Sequence, residues 1–276
     1  MSPVPIDIIS RLLGWIYVLC WSLSFYPQPI LNYRRQSTAG LAIDFPTANV
    51  VGFLSYTIST AAFLYSPLIR TQYAYRNPIS PTPTVRFNDF AFGIHATVLC
   101  LLTYSQFWNS LWGFHTSQRQ RVSKPVFGVI VGCMAGVLSV ILIVAFKSND
   151  GGTDPDGWAW IDVIYAFSYV KLIVTVMKYI PQAWMNYKRK STIGWSIYQI
   201  QLDLWGGVLS LIQLFLDASV QNDWSGVTGN PVKFGLGNVS ILFDIIFMLQ
   251  HYWFYRDAKD VENALTEGRP LLSGYD

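Results

Sequence analysis

Apolar residues run through this chain in long blocks separated by short polar turns. Seven blocks are long enough to form membrane-crossing helices, near 8–32, 43–65, 87–110, 126–146, 158–186, 196–218 and 234–255. Pro27 and Pro29 interrupt the first and Pro181 the fifth. A proline removes a backbone hydrogen bond and bends the helix, so both blocks are expected to kink. The first apolar run is long and no small-residue cleavage site follows it, so it reads as a retained span.

The pattern carries an internal repeat. A shift of 154 residues places Pro27-Gln28 on Pro181-Gln182, Asn32-Tyr33 on Asn186-Tyr187, Arg35 on Arg189, Ser37-Thr38 on Ser191-Thr192, Gly40 on Gly194 and Gly52 on Gly206. From 26–52 against 180–206, 10 of 27 positions are identical. The register lays the first span on the fifth and the second on the sixth. The offset is an even number of spans, so both copies cross in the same direction. The expected fold is therefore all-α: seven transmembrane helices, as two parallel three-helix repeats joined by an inverting linker helix (3+1+3). The first repeat takes 1–124, the linker helix and a following loop 125–157, the second repeat 158–256, and a tail 257–276.

Composition agrees with a membrane protein: 52% of the 276 residues are hydrophobic and 13% charged, against about 25% charged in soluble domains. The net charge of +3 is small and scattered, which disfavours nucleic acid as a partner. Cys20, Cys100 and Cys133 all lie in apolar runs, which argues against a disulfide framework. Eleven of the nineteen lysines and arginines fall in the turns after spans one, three and five and in the tail, and six on the opposite side. By the positive-inside rule the basic turns and the C-terminus face the cytosol and the N-terminus the lumen or exterior.

A few polar residues sit inside the apolar blocks, where they are costly and usually functional. Lys171 and Lys178, seven apart, share one face of the fifth span. Snorkelling to the headgroups is open to Lys178 but not easily to mid-span Lys171. Asp203 lies in the middle of the sixth span, with Gln199 one turn before it. A buried carboxylate there suits a proton or ligand site, its simpler alternative being a packing device. In the repeat register Asn49 falls on Asp203, so one half offers an amide where the other offers an acid. Asn49, Gln182 and Asn186 suit an amino-acid ligand, because an amide meets both amine and carboxylate; interhelical bonding is the alternative. Tyr17 and Trp21 lie four apart on the first span and are candidates to line a cavity or to pack. No nucleophile–base set and no metal-ligand spacing is present, so neither an enzyme nor a metal or other cofactor is expected.

The ordered set Ser24-Phe-Tyr-Pro-Gln, Asn88-Asp89, Ser168-Tyr-Val-Lys171, Lys178-Tyr-Ile-Pro-Gln-Ala, Gly194-Trp-Ser-Ile, Leu202-Asp203, Gly206-Gly207, Lys233-Phe-Gly-Leu-Gly, Phe243-Asp244 and Gln250-His251 resembles the PQ-loop family. Within it, the match is to the branch of proton-coupled cystine exporters of lysosomes and vacuoles. The resemblance covers nearly all of 8–256. It implies a substrate path along Lys171 and Lys178, binding roles for Asn49 and Asn186, and proton-coupling roles for Asp244 and Asp89; Asp203 joins them by its place in the middle of a span, and Pro27-Gln28 and Pro181-Gln182 are the expected hinges. Asn88-Asp89 is also a plausible helix cap. Gln199 stands where those relatives have asparagine. The long glycosylated segment that animal members carry before the first span is not in this sequence, which points to a fungal, plant or protist source.

The implied activity is symport of L-cystine with protons, from lumen to cytosol, by alternating access, with the proton as coupling ion. The tail adds Glu267, Leu271 and Leu272 in an acidic dileucine pattern and Tyr275 in a partial tyrosine motif. Both are candidate signals for clathrin-adaptor sorting to the lysosomal or vacuolar membrane. The alternatives are a PQ-loop carrier of cationic amino acids or sugars, or a seven-helix cargo receptor. Two intramembrane lysines repel the first ligand and have little use for the second.

Overall fold

A computed structural model describes residues 4–78, 81–83, 85, 87–116, 120–147, 154, 156–221, 231–256 and 258. These form helices α1 (Val4–Ser24), α2 (Pro27–Arg35), α3 (Asp44–Tyr65), α4 (Pro67–Arg76), α5 (Phe87–Ser105), α6 (Asn109–Trp112), α7 (Lys124–Lys147), α8 (Trp160–Met177), α9 (Tyr179–Arg189), α10 (Ile197–Gln221) and α11 (Pro231–Leu249). A π-helical turn, Gln250–Phe254, ends α11. By length and composition, four stretches among the described residues are apolar enough to cross a membrane: Ile8–Arg35, Asp44–Tyr65, Lys124–Lys147 and Trp160–Arg189. On α7, Phe127, Val131, Leu138, Leu142 and Phe146 are exposed, as a lipid-facing surface requires.

The prolines act where the sequence places them. α1 stops at Ser24, and Pro27 occupies the first position of α2, where a missing N–H costs nothing. Lys178 closes α8, and Tyr179 begins α9 with Pro181 in its first turn. The short helix α4 is not foreseen by the apolar pattern. Its start is encoded locally: the Ser66 side chain accepts from the Ile69 N–H at 3.4 Å, and Pro67 follows as first helical residue.

The chain divides into two compact units. One comprises Met1–Ala42, Gln106–Gln120 and Tyr179–Asp276; the other comprises Ile43–Ser105 and Arg121–Lys178. In the first, α1 packs along α10, and α10 along α11. In the second, α3 packs on α5 and α8, and α7 on α8. Ala48, Val137, Val170 and Val174 form the buried centre of that packing. A small residue on α3 lets the helices approach closely, the usual means of association where lipid supplies no hydrophobic drive. The end of α4 is fastened to the start of α8. Arg76 donates to Asp162 Oδ2 at 2.8 Å and to the Gly157 carbonyl at 2.7 Å, and Gln72 Oε1 accepts from the Ile161 N–H. Each unit therefore joins helices from both sequence repeats, α1 with α10 in the first and α3 with α8 in the second.

Candidate functional site

The basic turns after α2 and α9 lie in the first unit and have the same construction. Each helix ends in a left-handed residue, Gln36 at φ 50° and Lys190 at φ 49°. Ser37 N–H then bonds back to Asn32 O, and Ser191 N–H to Asn186 O, which satisfies helix-end carbonyls. Arg35 ties the Ala39 carbonyl, and Arg189 the Ile193 carbonyl. Gly40 and Gly194, at φ 102° and 89°, face each other so closely that a β-carbon on either would strike the other turn's backbone.

The Pro-Gln glutamines hold these turns crosswise. Gln28 Nε2 donates to Gly194 O at 2.9 Å, and Gln28 Oε1 accepts from Ser196 N–H at 2.8 Å. Gln182 Nε2 donates to Gly40 O at 3.0 Å, and Gln182 Oε1 accepts from Ala42 N–H at 2.7 Å. Each glutamine also donates to the asparagine one turn later, Asn32 or Asn186. Asn32 passes the chain to Gln106, which donates to Pro29 O; Asn186 passes it to Gln250, which donates to Ala183 O. All six amides are buried, so each bond stands in for water that is absent. Bolts of this kind fix one arrangement of the two turns.

The same unit contains a carboxylate cluster. Tyr179, fully buried at the start of α9, donates its hydroxyl to Asp203 Oδ2 at 2.9 Å and shares a 2.8 Å hydrogen bond with Ser240 Oγ. Ser240 Oγ reaches Asp203 at 3.4 Å. The Tyr179 ring stacks on Phe243, with centroids 5.3 Å apart. Asp244 is fully buried on α11. The hydroxyl beside the α8–α9 break is thus bonded directly to an ionisable group on α10.

The second unit holds the lysines. Lys171 Nζ lies 3.4 Å from the centroid of the Phe53 ring, and Lys178 Nζ 5.2 Å from that of Phe45. Both are cation–π distances. The Lys171 stem passes over Gly52, where a β-carbon would meet Lys171 Cδ at 3.4 Å. Asn49, one turn before Phe53 on α3, is buried, and its Oδ1 has no hydrogen-bond partner among the described residues. An orphaned acceptor at that depth is costly unless something else fills it.

Comparison with known proteins fits this architecture. The PQ loop repeat model matches residues 9–69 and 163–223, two stretches displaced by the same 154 residues as the internal repeat. Cystinosin of Drosophila melanogaster is 40% identical over 95% of this chain, which spans 65% of the fly protein's length. A cystinosin homolog of Dictyostelium discoideum is 41% identical over 92% of this chain and 84% of its own length. The chain belongs to the cystinosin family. A Saccharomyces cerevisiae protein named cystine transporter is 28% identical over 97% of the chain and 98% of its own length.

In this cystinosin-family chain the residues singled out from sequence fall into distinct settings. Gln182 and Asn186, expected as substrate contacts, are bonded inside the protein and fully buried, as part of the bolts. Substrate access to them would require those bonds to open. Asp203 and Gln199 are half-buried, one turn apart on α10. Tyr17 and Trp21 meet edge to face at 5.1 Å, and Trp21 rests against Gly206. Asp89 lies in the first turn of α5, where a helix dipole favours an acid. Glu267, Leu271, Leu272 and Tyr275 lie outside the described residues. Among the described residues no group of three or more His, Cys, Asp or Glu is placed to hold a metal ion.

From the sequence, Gln106, Ser240 and Phe53 carry no role, Tyr179 and Gln250 stand only in the motif set, and Gly52 only in the repeat. Gln106 and Gln250 are equivalent in the bolts but 144 residues apart, so a search at 154 passes over them. At 144, Asp244 falls on Cys100 and Ser240 on Ala96. The first repeat thus has no acid at either carboxylate position of the second.

Proposed function

We propose that this protein is a proton-coupled symporter that exports L-cystine from the lumen of a lysosome or vacuole to the cytosol by alternating access. The names of its relatives and the chemistry of its buried polar groups support this reading. Cystine carries two carboxylates and two ammonium groups. Lys171 and Lys178 supply cations for carboxylates, and Asn49 supplies an unsatisfied amide oxygen for an ammonium. Gln199, Trp21 and Tyr17 complete the proposed set of contacts.

The observation that carries the coupling is the bond between Tyr179 and Asp203 at 2.9 Å, two residues past the end of α8. With Asp203 ionised, the tyrosine hydroxyl donates to it and ties the start of α9 to α10. A proton arriving from the lumen neutralises Asp203, and Tyr179 turns to Ser240. The tie at the break slackens, and the helices pivot at Pro27 and Pro181. The bolts at Gln28 and Gln182 then open, and cystine and proton leave on the cytosolic side. Asp244, fully buried, is the second proton site of this scheme, and Asp89 a third acid at the luminal end. Each pH unit across the membrane supplies about 1.4 kcal/mol per proton.

Seven spans in a 3+1+3 order, a luminal N-terminus, and a cytosolic tail read by sorting adaptors complete the reading. The test is uptake of radiolabelled cystine into proteoliposomes, competed by other amino acids and sugars at two pH values. Cystine alone should compete strongly, and Lys171→Ala should abolish uptake. Strong competition by lysine or by a sugar would overturn the substrate assignment.

A further inference from the structure

The seat of Lys171 on α3 has features that a merely buried lysine does not need. The ammonium stands over the face of Phe53 at 3.4 Å from the ring centroid, at the short end of the range for such pairs. Phe53 is buried and held edge-on by Phe92, with centroids 6.1 Å apart, so its face has one orientation. Gly52 makes the approach possible. A β-carbon there would overlap Val174 and touch the Lys171 stem. Asn49, with its orphaned oxygen, lies one turn earlier on the same helix.

The equivalent glycine of the other repeat, Gly206, is used differently: it takes the Trp21 ring from α1. One backbone opening therefore admits a cation in one unit and an indole in the other. In the register of the repeat, Phe53 corresponds to Gly207 and Lys171 to Tyr17, so the ring and the ammonium are both special to this interface. An aromatic face stabilises a cation without neutralising it. The ring thus fixes the place of the ammonium by its charge.

We propose that Phe53 is a positioning residue for Lys171, and that Gly52 sets the distance between them. Together they place the ammonium where a substrate carboxylate can meet it. This rests on the reading of Lys171 as a substrate contact.

The test replaces Phe53 in the full-length protein by mono-, di- and trifluorinated phenylalanine. These rings are close in size to the natural one but progressively lose the negative charge of the face. The KM for cystine should rise stepwise along the series, reaching about tenfold, with little change in maximal rate. Phe53→Tyr should stay near the natural value, and Phe53→Leu should match the trifluorinated ring. The melting temperature of the substrate-free protein should also fall along the series, and the fall should vanish in a Lys171→Met background. Gly52→Ala should raise the KM, and adding Val174→Ala should restore part of it by returning space.

A flat series in both KM and melting temperature overturns the proposal, even where Lys171→Ala abolishes uptake. If Lys171→Ala leaves uptake intact, the substrate role of the lysine fails instead. The coupling of melting temperature between Phe53 and Lys171 then still reports on the seat.

Discussion

Asp203 concentrates the chemistry at the scale of single residues. It is a half-buried acid in an apolar helix, bonded to a fully buried tyrosine and close to a serine. Asp203→Asn keeps the shape but can neither take up nor release a proton. Cystine uptake by this variant is expected to lose its dependence on pH, read from initial rates across a pH series. Tyr179→Phe keeps the acid and removes its donor. The tie is then absent whether or not Asp203 carries a proton, so the pH dependence of uptake is expected to flatten although the acid is kept. The KM should change less than the pH profile, because the hydroxyl acts at the break rather than on substrate. An unchanged pH profile would detach Tyr179 from the transport cycle.

Elements are held by the paired turns. Gln182→Ala strands the Ala42 N–H and the Gly40 carbonyl, both buried, as well as Asn186 Oδ1. The expected cost is about 2 kcal/mol, seen as a drop of several degrees in melting temperature. Gln28→Ala strands Ser196 N–H, Gly194 O and Asn32 Oδ1 and should cost about the same. A large difference between the two would mean that one turn carries the closure alone. The turns were legible in the sequence, because prolines, glycines and capping residues state their backbone needs locally. Pro27, Pro181, Gly40 and Gly194 all stand where their chemistry demands. The crosswise bonding was not legible. Gln28 reaches 166 residues along the chain to Gly194, and no periodicity encodes that distance. Gln106 and Gln250 were hidden by a change of register within the repeats. Phe53 looked like any apolar residue of α3, since only its contact with Lys171 distinguishes it.

At the scale of the whole molecule, asymmetry between duplicated halves is the central feature. The scaffold is kept in both copies: the Pro-Gln pair, the asparagine, the Ser-Thr turn and the glycine. The ionisable groups are not. Lys171, Lys178, Asp203 and Asp244 stand against Tyr17, Ser24, Asn49 and Cys100. Duplication thus supplied two equivalent sets of bolts, and the second copy alone carries these four charges. Asn49→Asp would restore an acid to the first copy. It is expected to weaken cystine uptake, because a carboxylate one turn from Phe53 would compete with the substrate's own for the Lys171 ammonium. Proton coupling is measured most directly by cystine uptake into proteoliposomes with and without an inward proton gradient. Uptake should be driven by the gradient and lost in the Asp203→Asn, Asp244→Asn double variant. Uptake indifferent to the gradient and intact in that variant would contradict it.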